Sequence, residues 1–163
     1  MSVDQRTFRK ALGCFATGVT VVTAIHPETK ALAGVTVSAF SSLSLQPPLV
    51  LFCLGHQTSS LDAFVKAGRF AVNILAESQR DLSNRFASRA ADKWNGVQWE
   101  AWDSGAPILA GCIANLECSV VTTHQGGDHI IFVGHVDRLR QQEGGAPLVY
   151  FRGGYVDYAP PSA

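Results

Sequence analysis

The sequence is poor in charge. Asp, Glu, Lys and Arg make up 16% of it, and 13 basic side chains balance 13 acidic ones. A chain without a net field has no long-range attraction for nucleic acid or anionic lipid, so recognition must rest on local pockets. Cysteine occurs only four times, as Cys14, Cys53, Cys112 and Cys118. No Cys-x-x-Cys pair is present for zinc or dithiol chemistry, and the four are expected to be reduced core residues. No apolar run approaches the length of a membrane span, and the start, Met-Ser-Val-Asp-Gln-Arg-Thr-Phe-Arg-Lys, lacks the apolar centre of a secretory signal. The expectation is a soluble cytoplasmic protein with neither a membrane nor a nucleic-acid partner.

Missing motifs narrow the chemistry further. No Gly-x-Gly-x-x-Gly follows a strand and no Walker-type loop occurs, which excludes the Rossmann and P-loop modes of nucleotide binding. The absence of a Gly-x-Ser-x-Gly elbow argues against acyl transfer. His124, His129 and His135 share one late segment, but without His-x-His or His-Glu-x-x-His spacing they are not expected to hold a metal.

What is present is a chain of 163 residues, 47% hydrophobic, expected to form one domain over residues 1–163 with a frayed end at 159–163. So apolar a balance leaves surface for a partner, most simply a second copy of the chain. Asp4 should cap a helix in which Phe8, Ala11, Leu12 and Phe15 recur at helical spacing and pack on the core. Residues 19–25 and 32–39 predict a hairpin around a turn at 26–30. Residues 49–54 form a continuous apolar run that fits a strand covered on both faces. Ser59 or Ser60 should cap a short helix carrying Leu61, Phe64 and Val65 and ended by Gly68; a strand over 70–75 follows, then a helix from Ser78 with Leu82, Phe86 and Ala87 on its apolar face.

Residues 88–107 are irregular, and Trp94, Trp99 and Trp102 are expected to pack over a rim. The clearest hairpin joins 113–124 to 129–139 through Gln125-Gly126-Gly127-Asp128, and a last strand covers 148–151. Consecutive antiparallel strands with few helices and no βαβ alternation predict a mainly β fold, a closed or nearly closed barrel with a few short helices.

Four constellations could carry chemistry. Residues 34–54 place Thr36, Ser38, Ser41, Ser42 and Ser44 between two apolar strand patterns, with Val35, Val37, Ala39 and Phe40 interleaved. Neutral donors and acceptors beside apolar surface suit a phosphorylated, planar cofactor, and a serine-rich connector has the same composition. Arg80, Arg85, Arg89 and Lys93, near Ser83, Asn84 and Ser88, could meet a phosphate or form a solvated face. His129 follows a turn directly, where it can face a cleft or bond its neighbours. Arg152-Gly153-Gly154-Tyr155 can clamp a ligand or end a strand.

In chain order, several segments resemble the flavin reductase-like family, whose short members supply reduced flavin to two-component monooxygenases. They are Ala16-Thr17-Gly18-Val19-Thr20-Val21-Val22-Thr23, Thr36-Val37-Ser38-Ala39-Phe40-Ser41-Ser42-Leu43-Ser44-Leu45, Pro47-Pro48-Leu49-Val50-Leu51, Phe70-Ala71-Val72-Asn73-Ile74-Leu75, Gly127-Asp128-His129 and Tyr150-Phe151-Arg152-Gly153-Gly154-Tyr155. The resemblance covers almost the whole chain. It implies an FMN-binding split β-barrel, usually a homodimer.

It also implies site residues. Thr36, Val37, Ser38, Ala39, Phe40, Ser41 and Ser42 would line the flavin, with Cys53 and Leu54 beside them. Ser59 and Ser60, at a helix start, would take its phosphate, and Arg85, Phe86, Ala87, Ser88, Arg89 and Lys93 would complete the phosphate or adenylate side. His129 would stand near the nicotinamide in a supporting role, and Arg152, Gly153, Gly154 and Tyr155 would contact the pyridine nucleotide. A hydride passing from nicotinamide C4 to flavin N5 needs no side-chain nucleophile. The expected activity is NAD(P)H-dependent reduction of FMN or FAD, with NADH against NADPH and retention against release of flavin left open. A flavin carrier without turnover and a split-barrel oxidase of the pyridoxamine-phosphate type remain alternatives.

Overall fold

The computed structural model describes residues 3–159. Helix α1 (Gln5–Leu12) starts where Asp4 accepts hydrogen bonds from the backbone N–H of Arg6 at 2.9 Å and Thr7 at 3.3 Å. The strands that follow are β1 (Thr17–Gly18), β2 (Thr20–Ile25), β3 (Leu32–Val37), β4 (Phe40–Leu45) and β5 (Pro48–Gly55). Helix α2 (Leu61–Ala67), strand β6 (Arg69–Ile74), a 3-10 turn (Glu77–Gln79) and helix α3 (Arg80–Ala87) make up the middle of the chain. The last part holds β7 (Trp99–Ala101), β8 (Pro107–Leu109), β9 (Ala114–Gly126), β10 (His129–Gln141), β11 (Val149–Phe151) and β12 (Gly154–Val156).

Seven strands form one antiparallel sheet in the order β3-β2-β6-β9-β10-β5-β4. It curls but does not close, because β3 pairs only with β2 and β4 only with β5. Consecutive strands β3 and β4 are thus the two edges of the sheet, and Ser38-Ala39 links them across the open seam. A small sheet, β1-β11-β12, stands apart from the large one, and β7-β8 form a third.

Alternation fixes which faces are buried. In β5, Val50, Phe52 and Leu54 point into the core, while Leu49, Leu51 and Cys53 are half-buried. The strand is therefore covered fully on one face, not on both as its continuous apolar run implies. Phe52 anchors the interior: it stacks on Phe132 at 4.8 Å between centroids and meets Phe70 edge-on at 4.9 Å. Gly134 lets β10 approach that cluster, since a methyl group there would lie 2.3 Å from Phe70 Cζ.

Asn73, fully buried on β6, stitches four segments together. Its Nδ2 donates to the carbonyl of Val21 at 3.0 Å, and its Oδ1 accepts from the N–H of Leu109 and from Asn115 Nδ2, both at 2.8 Å. Glu117, also buried, accepts from the N–H of Ser104 at 2.7 Å and from its hydroxyl at 2.6 Å, which holds the bend before β8.

Several expectations need correction. Residues 40–45 are strand β4, not loop, because the sheet edge offers β5 as a pairing partner. Helix α1 buries no residue, and Phe8, Leu12 and Phe15 are 54%, 58% and 77% exposed. The helix rides beside the small sheet instead of on the core. Ala87 lies on the exposed side of α3, where Phe86 and Ser83 are the buried residues. Residues 88–107 contain β7 and the start of β8; there Trp94 meets Phe86 edge-on at 4.9 Å and donates from Nε1 to the carbonyl of Leu32 at 3.2 Å. Cys112 and Cys118 are buried, and burial pushes their thiols up to about 11 and about 12, but Cys14 is exposed. The expected frayed end falls, beyond Ala159, outside the described residues.

Replacing Asn73 by Leu should lower stability by about 2–4 kcal/mol, because it leaves the buried Leu109 N–H without its acceptor and takes from Asn115 Nδ2 the shorter of its two bonds. Urea unfolding followed by tryptophan fluorescence checks this, with a lower midpoint at unchanged slope as the expected outcome.

Candidate functional site

The seam between β3 and β4 is the floor of a groove made of adjoining hollows. The first, about 330 Å³, is lined by Thr36 and Ser38 from the seam, Ser83, Asn84 and Ala87 from α3, and Tyr150, Gly153, Gly154 and Tyr155 from β11 and β12, with Val19 at its base. The second, about 530 Å³, sets Ser38 and Tyr150 against Asp128 and His129 from the β9-β10 turn and against Phe8, Arg9, Leu12 and Phe15 from the α1 segment. A third, about 260 Å³, places Ser38 with Phe40, Thr20, Ile74 and residues 15–18. Ser38 borders all three.

Local structure explains how each side chain reaches the groove. Thr36 ends β3, and its hydroxyl donates to the carbonyl of Ser83 at 2.6 Å, fixing α3 against the seam. Its oxygen keeps acceptor capacity. Ser38 is exposed, and its hydroxyl has no side-chain partner among the described residues. The Tyr155 hydroxyl lies 2.8 Å from Ser83 Oγ and 2.9 Å from Asn84 Oδ1, so α3 also holds β12 in place. A methyl group on Gly153 or Gly154 would meet no atom within 4 Å, which leaves the hollow's wall open where the two glycines line it.

His129 begins β10 opposite Gly55, and a side chain at Gly55 would come within 3.4 Å of its Nε2. Asp128 Oδ1 lies 2.7 Å from His129 Nδ1. The hydrogen bond from His129, followed by its charge, holds the Asp128 carboxyl below the usual carboxylate range. The ionised carboxylate therefore favours this contact, which weakens when acid protonates Asp128. With Nδ1 engaged by Asp128, Nε2 is the ring nitrogen left for a ligand.

The structure brings together Thr36, Ser38, Ala87, Gly153, Gly154 and Tyr155 in one hollow, joins His129 to them through Ser38, and joins Arg152 through Gly153. Other expected residues sit elsewhere. Val37, Leu54 and Phe86 have their side chains in the core, at 5%, 2% and 0% exposure, so only their backbone could face a ligand. Ala39, Ser41 and Ser42 follow along the seam and the edge strand, with Ser41 Oγ donating to the Ser42 carbonyl at 2.9 Å. Cys53 is half-buried on the outer face of β5, and burial raises its pKa.

Ser59 and Ser60 precede α2 and line none of these hollows, and Ser60 makes no side-chain cap. Arg85 and Lys93 are committed to backbone carbonyls, of Asn95 at 2.7 Å and Phe86 at 3.2 Å, and burial lowers the Lys93 pKa. Ser88 closes the end of α3 by donating to the Arg85 carbonyl at 2.8 Å, and Arg89 is exposed. Among the described residues no three His, Cys, Asp or Glu side chains are grouped to hold a metal ion.

Sequence reasoning named Ser83, Asn84 and Tyr150 only beside its candidates, without placing them in the site, and missed all of α1's contribution. Ser83 carried a signal, a small polar residue within the buried stripe of α3. The part played by α1 carried none, because an amphipathic pattern predicts core packing by default.

Residues 12–159 match the family described as flavin reductase like domain. The reductase subunit HsaB of a flavin-dependent monooxygenase from Mycobacterium tuberculosis is 41% identical over 160 residues, which span 97% of this chain and 84% of that protein. The crystal structure of a homologue of nitrilotriacetate monooxygenase component B from Mycobacterium thermoresistibile is 42% identical, with a TM-score of 0.90 over 98% of this chain and 92% of that one. The NADH:FAD oxidoreductase SgcE6 of Streptomyces globisporus, in complex with NAD and FAD fragments, has a TM-score of 0.91 at 34% identity and covers 100% of this chain and 99% of its own. The split sheet, the seam and its groove thus belong to a chain that is a member of the flavin reductase-like family.

Proposed function

We propose that this chain is an NAD(P)H-dependent flavin reductase that delivers reduced flavin to a separate monooxygenase component. The observation that carries it is the groove over the seam, where an exposed hydroxyl, an apolar wall and an aspartate-held histidine converge on Ser38. Relatives named as a monooxygenase reductase subunit and as an NADH:FAD oxidoreductase support the same activity.

The residues present fit a flavin. Thr36 and Ser38 offer hydroxyl groups to polar ring-edge or ribityl atoms, the unfilled space at Gly153 and Gly154 leaves room for a planar group, and Tyr155 is held rigid by α3. When bound, flavin supplies the hydride acceptor and the pyridine nucleotide the donor. Ser38 and Thr36 orient one ring, while Phe8, Leu12 and Phe15 supply apolar surface that keeps water from the second. His129 presents Nε2 to the groove with its ring direction set by Asp128, and so can orient a polar group there or, in its imidazolium form, donate where negative charge grows. FMN and FAD share the riboflavin part, and the groove is compatible with either.

We further assign the protein to a homodimer. Leu43 and Leu45 on edge strand β4 are 50% and 89% exposed, and an unpaired, apolar edge is covered in stable proteins.

Purified protein should oxidise NADH or NADPH only when FMN, FAD or riboflavin is added; flavin binding without nucleotide consumption would contradict the proposal and fit a carrier. His129→Ala should lower kcat/KM for the nucleotide by roughly tenfold to a thousandfold, with flavin Kd changed by less than about threefold. Ser38→Val should show the reverse order, with flavin Kd weakened about fivefold before turnover is lost. Steady-state kinetics and flavin fluorescence titration read both. Sedimentation equilibrium should give twice the 17.4 kDa chain mass.

A further inference from the structure

Helix α1 presents a second edge, which meets the groove over the seam only at Gln5, Arg9 and Gly13. Arg6, Arg9 and Lys10 stand at helical i, i+3 and i+4 positions, and with Arg152 they line an open hollow of about 670 Å³ that Gly13, Cys14 and Gly153 also border. None of these cations pairs with a carboxylate among the described residues. In a chain whose formal net charge is zero, like charges gathered round one hollow repel each other until an anion joins them.

Helix stability does not account for the group. Arg9 and Lys10 lie in the last turn, where cations suit the helix dipole, but Arg6 lies in the first turn, where the dipole opposes it. Arg152 belongs to another element altogether. It adopts a left-handed φ of 49°, unfavourable for a residue with a side chain, and its N–H donates to the carbonyl of Gly13 at 2.7 Å. That bond ties the β11-β12 turn to the end of α1 and keeps its cation beside the helical ones.

The two edges of α1 therefore differ in chemistry. Phe8 and Leu12 border the hollow that contains His129, the cations border the other, and Gln5, Arg9 and Gly13 border both. The separation is of the order of one helix diameter, ~10 Å. A dinucleotide has this layout, with a planar ring at one end and phosphates one sugar away. Building on the reductase function proposed above, we propose that Arg6, Arg9, Lys10 and Arg152 form the phosphate subsite for the pyridine nucleotide whose nicotinamide is handled at His129. Its target is a phosphate ester of that nucleotide, either the pyrophosphate common to NADH and NADPH or the 2′-phosphate of NADPH.

The test compares wild type with the Arg6→Gln/Arg9→Gln/Lys10→Gln triple variant and with Arg152→Gln, using exposed positions whose substitution leaves the core intact. KM for NADH and NADPH is measured with saturating FMN, and the Kd of ADP-ribose, 2′-phospho-ADP-ribose, FMN and FAD by calorimetry. The triple variant should raise nucleotide KM roughly tenfold or more and weaken the ADP-ribose probes alike, with kcat within about threefold. Equal loss for both probes assigns the pyrophosphate, and a larger loss for 2′-phospho-ADP-ribose assigns the 2′-phosphate; either supports the subsite. The charge-keeping Arg6→Lys/Arg9→Lys variant should retain affinity within about threefold, as point charges still bind phosphate. Unchanged KM and probe affinities, or a loss confined to FAD, would overturn the assignment while wild-type turnover leaves the reductase function standing. Wild-type protein that oxidises neither nucleotide would overturn both.

Discussion

Strands β3 and β4 are consecutive in the chain yet do not pair, and the open seam between them is the constraint on which the site depends. An unclosed sheet leaves two edges whose backbone groups must find other partners. Part of the solution lies in side chains that reach β3: Trp94 Nε1 donates to the Leu32 carbonyl at 3.2 Å and the Thr20 hydroxyl to the Val37 carbonyl at 2.8 Å. The rest is a groove. Had β3 and β4 paired, Ser38-Ala39 would be the tight turn of a hairpin and the seam would be closed, instead of Ser38 being the exposed point where three hollows meet.

The seam is held open by groups far from it. Asn73 fixes β6 to β2, β8 and β9, and the Phe52, Phe70 and Phe132 cluster fixes β5 to β10, so the two halves that carry the edges are each rigid. Loosely packed parts lie on the functional side. Helix α1 buries nothing, and the β1-β11-β12 sheet is small, so their position rests on contacts such as Arg152 N–H to Gly13. Elements with little buried area open and close at low cost, which suits a site that must admit two planar molecules.

The sequence made the sheet legible where its signals were local. The 20–25 and 32–37 hairpin and the long β9-β10 hairpin follow from β-branched runs with turn residues between them, and Gly127 takes the positive φ of 67° its turn requires. Family resemblance added the coupling of Ser38, His129 and Arg152, which no local pattern implies because they are brought together by sheet topology. Two things stayed hidden. The Ser-rich segment reads as loop because serine disfavours strands, and edge pairing with β5 overrides that propensity. Phe8, Leu12 and Phe15 read as core because periodicity reports amphipathicity and says nothing of what the apolar face meets.

The central claim is that the seam at Ser38 is where flavin and hydride donor meet. The most direct measurement is a crystal structure of the protein with FMN and oxidised pyridine nucleotide bound together. The account predicts the flavin against Ser38 and Thr36, with the nicotinamide on the His129 side of it. Flavin bound at the outer face of β5 or before α2, with the seam bare, would contradict it.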